Sequence, residues 1–475
     1  MKHQLQSAFY IVVAIVLSVS QVAAQGYEIK GHLDKFTEDT IYLGYYYGDK
    51  QYLIDTTSVV NGDFVFEGDD ELRSGVYLVV MPPKNTFFQV LVDGSNANFS
   101  FSADHTNLNE TITFEGSIDN EIFYENMSYI GAKKKEADAL SSAIDSLSSP
   151  AEKQATQTKL DGLGKEVIAH QKTLIAKGEG MLSSALIASG ITEDMPEFSG
   201  TDDEKQMKRY RHFKSKYWDN LDLGDPRMLL TPQNMMFDRV NYYIEKLTPQ
   251  HPDSIITSLD LLLAKMEPAE ETYKFFLIKF VNDYAAPKFV GLDKVFVHLA
   301  ETYYATGKAP WIDEKQLAKI LDEAQKTKPT LIGQQAPDFT VQRRDSSDLS
   351  LYGLDNEHTI LVFWAHDCGH CKESMPALAE FMKKHQDKDL GVLSVCTKIA
   401  KDEGLCWDFV DEKGLDNLTN ASDMKGGLSR IHSLYNIKKT PKLFVLDRDK
   451  VIVTKGIGVE QLEQFFVSQG VFESE

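Results

Sequence analysis

TILVFWAHDCGHC, residues 359–371, decides the fold of the region around it. Thr359 to Ala365 form a short apolar run of strand length, rich in β-favouring residues, as expected of a strand buried on both faces. His366 and Asp367 break that run, and a helix is expected to start at Cys368. A cysteine at a helix amino terminus, after a buried strand and with a second cysteine three residues on, has a physical meaning. The unpaired N–H groups of the first turn carry partial positive charge, which stabilises a thiolate and makes it the attacking species.

Working outward, the region opens at Lys328-Pro329 and the turn-like GQQAPDF, residues 333–339. After the dithiol come a strand (LGVLSVCT), a helix (KDEGLCWDFV), a loop, two strands (KLFVLDRD and VIVTKGI) and a closing helix (EQLEQFF). Strands alternating with helices imply a sheet covered by helices, its early strands parallel. Upstream, residues 27–115 read as short β segments, among them VVNGDFVFEGD with Asn61-Gly62 placed as a hairpin turn. A small β-sandwich is expected there. Its aromatic residues, including Tyr45 to Tyr47, Phe87 and Phe88, are read as core rather than as a ligand platform. From Gly116 the texture becomes helical; Leu317, Ile320, Leu321 and Ala324 fall at i, i+3, i+4 and i+7 and give one buried helix face. The basic, aromatic-rich 205–218 stretch is read as a solvated helix face rather than a docking site for an acidic partner.

The fold class is therefore multidomain: a leader at 1–24, a β-sandwich at 25–116, a helical region at 117–328 and an α/β domain at 329–475. The leader has a lysine near its start, an apolar run from Ala8 to Leu17 and Val22-Ala23-Ala24 before Gln25, the layout of a cleaved secretory signal. Its apolar run is about ten residues, short of the roughly twenty that span a bilayer. A mature protein free in an oxidising space is expected, with no membrane span after cleavage. With 50 basic against 71 acidic residues the formal charge is -21, which disfavours nucleic acid and anionic lipid as partners and leaves proteins or small molecules.

Two cysteines and two histidines in HDCGHC admit a haem tether, a metal clip or a redox switch. Haem attachment needs a histidine directly after the second cysteine, where Lys372 stands. A zinc clip needs a second converging pair, and Cys396 and Cys406 lack the C-x-x-C spacing. The redox reading uses what is present: Cys368 as exposed nucleophile and Cys371, one turn inside the helix, as the thiol that resolves a mixed disulfide. It calls for no metal and no other cofactor. Pro376 falls eight residues after Cys368. A cis peptide at Thr440-Pro441 would bring that strand end beside the dithiol, where Thr440 offers its backbone to a substrate chain. Cys396 and Cys406 are read either as buried thiols or as a second disulfide.

Trp364, Cys368-Gly369-His370-Cys371, Pro376 and Thr440-Pro441, in this order and spacing, resemble the thioredoxin superfamily over residues 330 to 475. GQQAPDF resembles the opening of its TlpA/ResA-like branch of envelope thiol-disulfide oxidoreductases. The leader, β region and helical region together resemble the multidomain members of Bacteroidota. The resemblance implies disulfide exchange with protein thiols and disulfides, aided by an unidentified redox partner, in the periplasm. Two positions depart from it: Val362 stands where thioredoxin has a buried aspartate, and Ser374 where ResA-like proteins have a glutamate. Glu373, displaced by one residue and so rotated by about 100° on a helix, is the remaining candidate proton acceptor.

The Gly-His pair between the cysteines matches protein disulfide isomerase, and His370 there favours the reduced dithiol. Isomerase and thioredoxin differ by about 90 mV, roughly 4 kcal/mol for two electrons, enough to reverse net electron flow. The branch resemblance implies a reductase and the dipeptide an isomerase or oxidant, so direction stays open. Peroxiredoxins share this fold, but they place a threonine three residues before the reactive cysteine, where Ala365 stands. A different class of reading, a ligand- or partner-binding protein whose dithiol serves metal delivery or redox sensing, rests on the two upstream regions.

Overall fold

The computed structural model of the chain describes residues 26–94, 97–192, 195–398, 402–423 and 430–473. The leader at 1–24 lies outside the described residues. The chain divides into two compact units between Val240 and Asn241.

In the first unit two four-stranded sheets face each other. One has the order β4-β1-β7-β8 and the other β3-β2-β5-β6, with β1 Tyr27–Asp34, β2 Thr40–Tyr47, β3 Lys50–Ser58, β4 Asp63–Gly68, β5 Gly75–Met81, β6 Thr86–Val92, β7 Asn98–Asp104 and β8 Thr113–Glu115. The alternation in YEIKGHLD buries Tyr27, Ile29, Gly31 and Leu33, exposes Glu28, Lys30 and Asp34 and leaves His32 half-buried, the period-2 pattern of a half-buried strand. Inward residues of both sheets, Ile29, Leu33, Phe66, Val79, Val90 and Phe101 among them, form one core. Asn61 and Gly62 take positive φ of 55° and 87°, as a two-residue hairpin turn requires, while Val60 and Asp63 exchange backbone hydrogen bonds of 2.9 and 3.0 Å. Tyr46 and Phe88 are core residues, whereas Phe87 is 47% exposed. Beyond the sandwich, helices Ile118–Ser146 and Pro150–Lys177 pack together, tied by Lys133–Glu166 and by stacking of Tyr129 on His170. The basic stretch forms helix Asp202–Lys216, capped reciprocally by Thr201 and Glu204, and none of its residues is buried.

The second unit begins with helices, among them Pro252–Met266, Glu270–Ala285 and Glu314–Thr327. The expected face of the last is half-buried at Leu317, Ile320 and Leu321 and buried at Ala324. A seven-stranded sheet follows, ordered β10-β9-β13-β12-β11-β14-β15: β9 Thr340–Gln342, β10 Asp348–Ser350, β11 His358–Trp364, β12 Leu390–Cys396, β13 Thr419–Ser422, β14 Lys442–Asp447 and β15 Ile452–Lys455. β11 is central, parallel to β12 and antiparallel to β14. Helices cover both faces, so β11 is buried at every residue from Thr359 to Trp364. Hydrophobic clusters lie on either side of the sheet, one with Ile360, Val362 and Trp364, the other with Leu361 and Phe363.

The segment read as a loop before KLFVLD holds regular structure. β13 pairs in parallel with β12, and a short helix spans Arg430–Leu434. β13 reads TNAS, polar and only four residues long, and it is stabilised by its neighbour rather than by its own pattern. Among the described residues no helix is long and apolar enough to cross a membrane.

Candidate functional site: a dithiol at a helix amino terminus

β11 ends at Trp364, and the turn after it closes when the Cys368 N–H donates to the Ala365 carbonyl at 3.2 Å. Helix Gly369–Lys384 then begins with Cys368 as its N-cap. The sulfur does what a serine or aspartate oxygen does at that position: it accepts the Cys371 N–H, at 3.2 Å. Gly369 is not demanded by space, since a Cβ there would meet nothing within 4 Å.

The two thiols are unbonded to each other and unequal. Cys368 is half-buried, and its S–H donates to the Thr440 carbonyl at 3.1 Å. Burial works against its ionisation, but hydrogen bonds to the sulfur from the Cys371 and Thr440 side chains and from the Cys371 and His370 N–H groups outweigh it and hold its pKa below the ordinary cysteine value. Cys371 is fully buried. Burial first, and then its bond and proximity to Cys368, push its pKa up to about 12. One sulfur is placed to be a thiolate while the other keeps its proton.

The Thr440-Pro441 peptide is cis, and β14 follows it directly. Trp364 is 1% exposed; its indole N–H donates to Ser394 Oγ at 2.8 Å and its ring lies against Phe409 at 4.9 Å. Trp364, Cys368, Cys371, Thr440 and Pro441 are thus brought together. Pro376 lies within the helix two turns on. His370 is exposed, and its carbonyl accepts a 2.7 Å bond from Ser374 Oγ. Glu373 is exposed on a cleft shared with Ser374, Glu380 and Glu460. Val362 sits in the same core as Cys371 and offers only a side chain without a proton acceptor. Among the described residues no carboxylate is hydrogen-bonded to either thiol.

One strand away, Cys396 pairs in register with Trp364 and is disulfide-bonded to Cys406 of helix Glu403–Lys413, with Cα atoms 6.3 Å apart. Each of these two cysteines is 1% exposed. On the same helix Leu405 is 48% exposed, while Phe409 and Val410 are buried.

Beside the dithiol opens a cleft of about 460 Å³, lined by Ala365, Asp367, Lys398, His432, Lys438 and Thr440 among others. Lys398 pairs with Asp367 at 2.7 Å. Behind the cleft Lys442, the residue after Pro441, donates to the Tyr435 and Asn436 carbonyls at 2.7 and 2.9 Å. Burial, then the charge of Lys455, lower its pKa to about 8. Ser394, His432 and Lys442 carry no motif, and their places follow from strand register and long-range packing.

Comparison with known proteins gives three family matches. Residues 332–455 match the AhpC/TSA family, residues 27–123 a domain of unknown function (DUF4369) and residues 193–327 another (DUF5106). The thioredoxin-like protein YneN of Bacillus subtilis is 32% identical over 136 residues, which are 28% of this chain and 76% of that protein. The thiol-disulfide oxidoreductase ResA of Bacillus thuringiensis is 29% identical over 133 residues, 28% of this chain and 73% of that protein. Among solved structures, a thioredoxin-like protein from Bacteroides caccae aligns with 58% of this chain and 99% of its own, at 17% identity and a TM-score of 0.44.

Proposed function

Since the chain belongs to the thioredoxin-like thiol-disulfide oxidoreductases, we propose that it exchanges disulfides with protein substrates through Cys368 and Cys371 in the cell envelope. The observation that carries this reading is the inequality of the two sulfurs: a half-exposed N-cap thiol with lowered pKa and a buried one with raised pKa. In the reducing direction the Cys368 thiolate attacks a substrate disulfide, forming a mixed disulfide and releasing one substrate thiolate. Cys371 then loses its proton and attacks Cys368 Sγ, which releases the second substrate thiolate and leaves a Cys368–Cys371 disulfide. Two electrons have passed to the substrate, and a dithiol partner must return them. In the oxidising direction the same steps run backward.

The proton on Cys371 is the harder part of the step, since Val362 and Ser374 offer no carboxylate. Two of the causes that hold this proton are the bond to Cys368 and its nearby charge. The charge is gone and the bond weakened once Cys368 is tied in a mixed disulfide, which eases loss of the proton, while burial, the largest cause, remains. At Ala365 a methyl group stands where a peroxidatic site needs a hydroxyl, which favours disulfide over peroxide as substrate. The envelope location rests on the secretory leader with cleavage after Ala24 and on the Cys396–Cys406 disulfide, which suits an oxidising compartment.

The test is alkylation of the reduced protein across pH. A group whose pKa is lowered is ionised from below the ordinary cysteine range upward, so Cys368 should react with iodoacetamide at pH 7 while Cys371 stays unmodified. Peptide mapping should find one labelled thiol, and the labelled protein should no longer reduce insulin. Equal labelling of both cysteines, or full activity after labelling, would refute the assignment. Titration of the dithiol against glutathione then settles direction: a potential near the thioredoxin value of about -270 mV is expected of a reductase, and one near -180 mV of an isomerase or oxidant.

A further inference from the structure

The segment that carries Thr440 is gripped from outside the sheet. Asn436 ends the helix Arg430–Leu434 in a left-handed conformation, φ 46°, a position where asparagine is tolerated and which sets the direction of the chain toward Thr440. Its side-chain amide donates to Glu323 Oε1 at 2.8 Å and to Thr327 Oγ1 at 3.2 Å, both on helix Glu314–Thr327. Two residues on, Lys438 Nζ meets the other oxygen, Glu323 Oε2, at 2.6 Å. Both oxygens of one carboxylate therefore hold one five-residue stretch, 436–440, at two points. From inside, Lys442 holds the same stretch by the Asn436 carbonyl.

The charges around this stretch make the carboxylate more than a surface pair. Lys442 lies within electrostatic reach of Lys455 and Lys438 and of the carboxylates Asp293 and Glu323. Lys455 is itself largely buried, paired with Asp293 and donating to the Thr330 carbonyl at 2.5 Å. Without Glu323, three ammonium groups would face one carboxylate, and Lys438 would be freed toward the cleft that it lines with Thr440. An exposed ion pair is worth little, but this carboxylate is only 28% exposed and serves two partners.

We propose that Glu323 is a positioning residue for polypeptide substrates: from the helix preceding the thioredoxin-like domain it fixes the 436–440 stretch whose backbone a substrate chain meets beside Cys368. This rests on the dithiol reading above and assigns that helix a part in the reaction. A small disulfide needs only the sulfur, whereas an extended polypeptide needs the stretch in place.

The experiment uses the full chain with Glu323→Ala, Glu323→Gln, Lys438→Ala and the Glu323→Ala/Lys438→Ala pair, assayed on insulin and on bis(2-hydroxyethyl) disulfide. Glu323→Ala is expected to raise KM for insulin about three- to tenfold with kcat within about twofold. Turnover of the small disulfide and the rate of Cys368 alkylation should stay at native values. Glu323→Gln, which keeps the acceptor for Asn436, should fall between, and Lys438→Ala should add less than about twofold to Glu323→Ala because both act through one contact. An unchanged insulin KM in Glu323→Ala alongside normal small-disulfide turnover overturns the role of Glu323 and leaves the dithiol reading standing. Equal losses on both substrates, or altered alkylation, also overturn it, since the residue would then support the dithiol or the fold. Absence of small-disulfide turnover in the native chain overturns the dithiol reading and the role of Glu323 with it.

Discussion

Replacing Cys368 with serine is expected to lower insulin reduction by roughly a thousandfold or more, to the level of uncatalysed exchange, because a hydroxyl is neither ionised at neutral pH nor a comparable attacker of sulfur. The change is small sterically. The N-cap position accepts a serine readily, and its oxygen can take the same Cys371 N–H, so the helix start is preserved. Unfolding midpoint and circular dichroism should therefore match the native protein. Loss of activity in a protein of unchanged stability assigns the chemistry to that sulfur, and retained turnover would sink the assignment. Cys371→Ser should behave differently. The nucleophile remains, the first step proceeds, and the mixed disulfide cannot be resolved from within. Incubation with oxidised insulin should leave a covalent adduct of Cys368, visible on a non-reducing gel and released by dithiothreitol. The contrast between a dead variant and a trapped one is the signature of a nucleophile and a resolver rather than of two equivalent ligands.

The second large effect is expected on stability. The Cys396–Cys406 bridge closes a sequence separation of 10 residues, and removing a link across a loop of that size costs about 3 kcal/mol in the chain-entropy account. Cys396→Ala/Cys406→Ala should lower the unfolding midpoint of the unit that carries it by roughly 6 to 12 °C, at about 2 to 4 °C per kcal/mol for a domain of this size. The bridge ties helix Glu403–Lys413 to the end of β12, and that helix places Phe409 against Trp364. Turnover should persist at low temperature and fail earlier on warming. Because both cysteines are 1% exposed, dithiothreitol should reduce this bridge only after denaturation, so protein reduced in the native state and then denatured without reductant should titrate two thiols, and protein reduced after denaturation four. Calorimetry showing an unchanged transition would mean that the bridge contributes nothing to stability.

Strand, turn and helix around the dithiol are legible because each is a local pattern: an unbroken apolar run for a strand buried on both faces, two polar residues, then a cysteine at a helix start. The half-buried face of helix Glu314–Thr327 is legible for the same reason, since the spacing of Leu317, Ile320, Leu321 and Ala324 repeats with the helix turn. β13 is not, because TNAS has neither length nor alternation and is ordered by the parallel ladder that Leu393 to Cys396 offer it.

By itself, then, the amino-acid sequence determined the elements: a sandwich, a helical stretch, an alternating α/β sheet, and two cysteines at one helix start. Only the tertiary structure decided what stands next to them. It put the Thr440 carbonyl 3.1 Å from Cys368, joined Cys396 to Cys406, turned Glu373 outward, and set Glu323 against Asn436 across 113 residues of chain. The reason is physical. Periodicity and capping act within a few residues and leave their mark on local sequence. A contact between distant segments depends on strand order, register and packing of whole elements, and neither residue in such a pair carries a sign of the other.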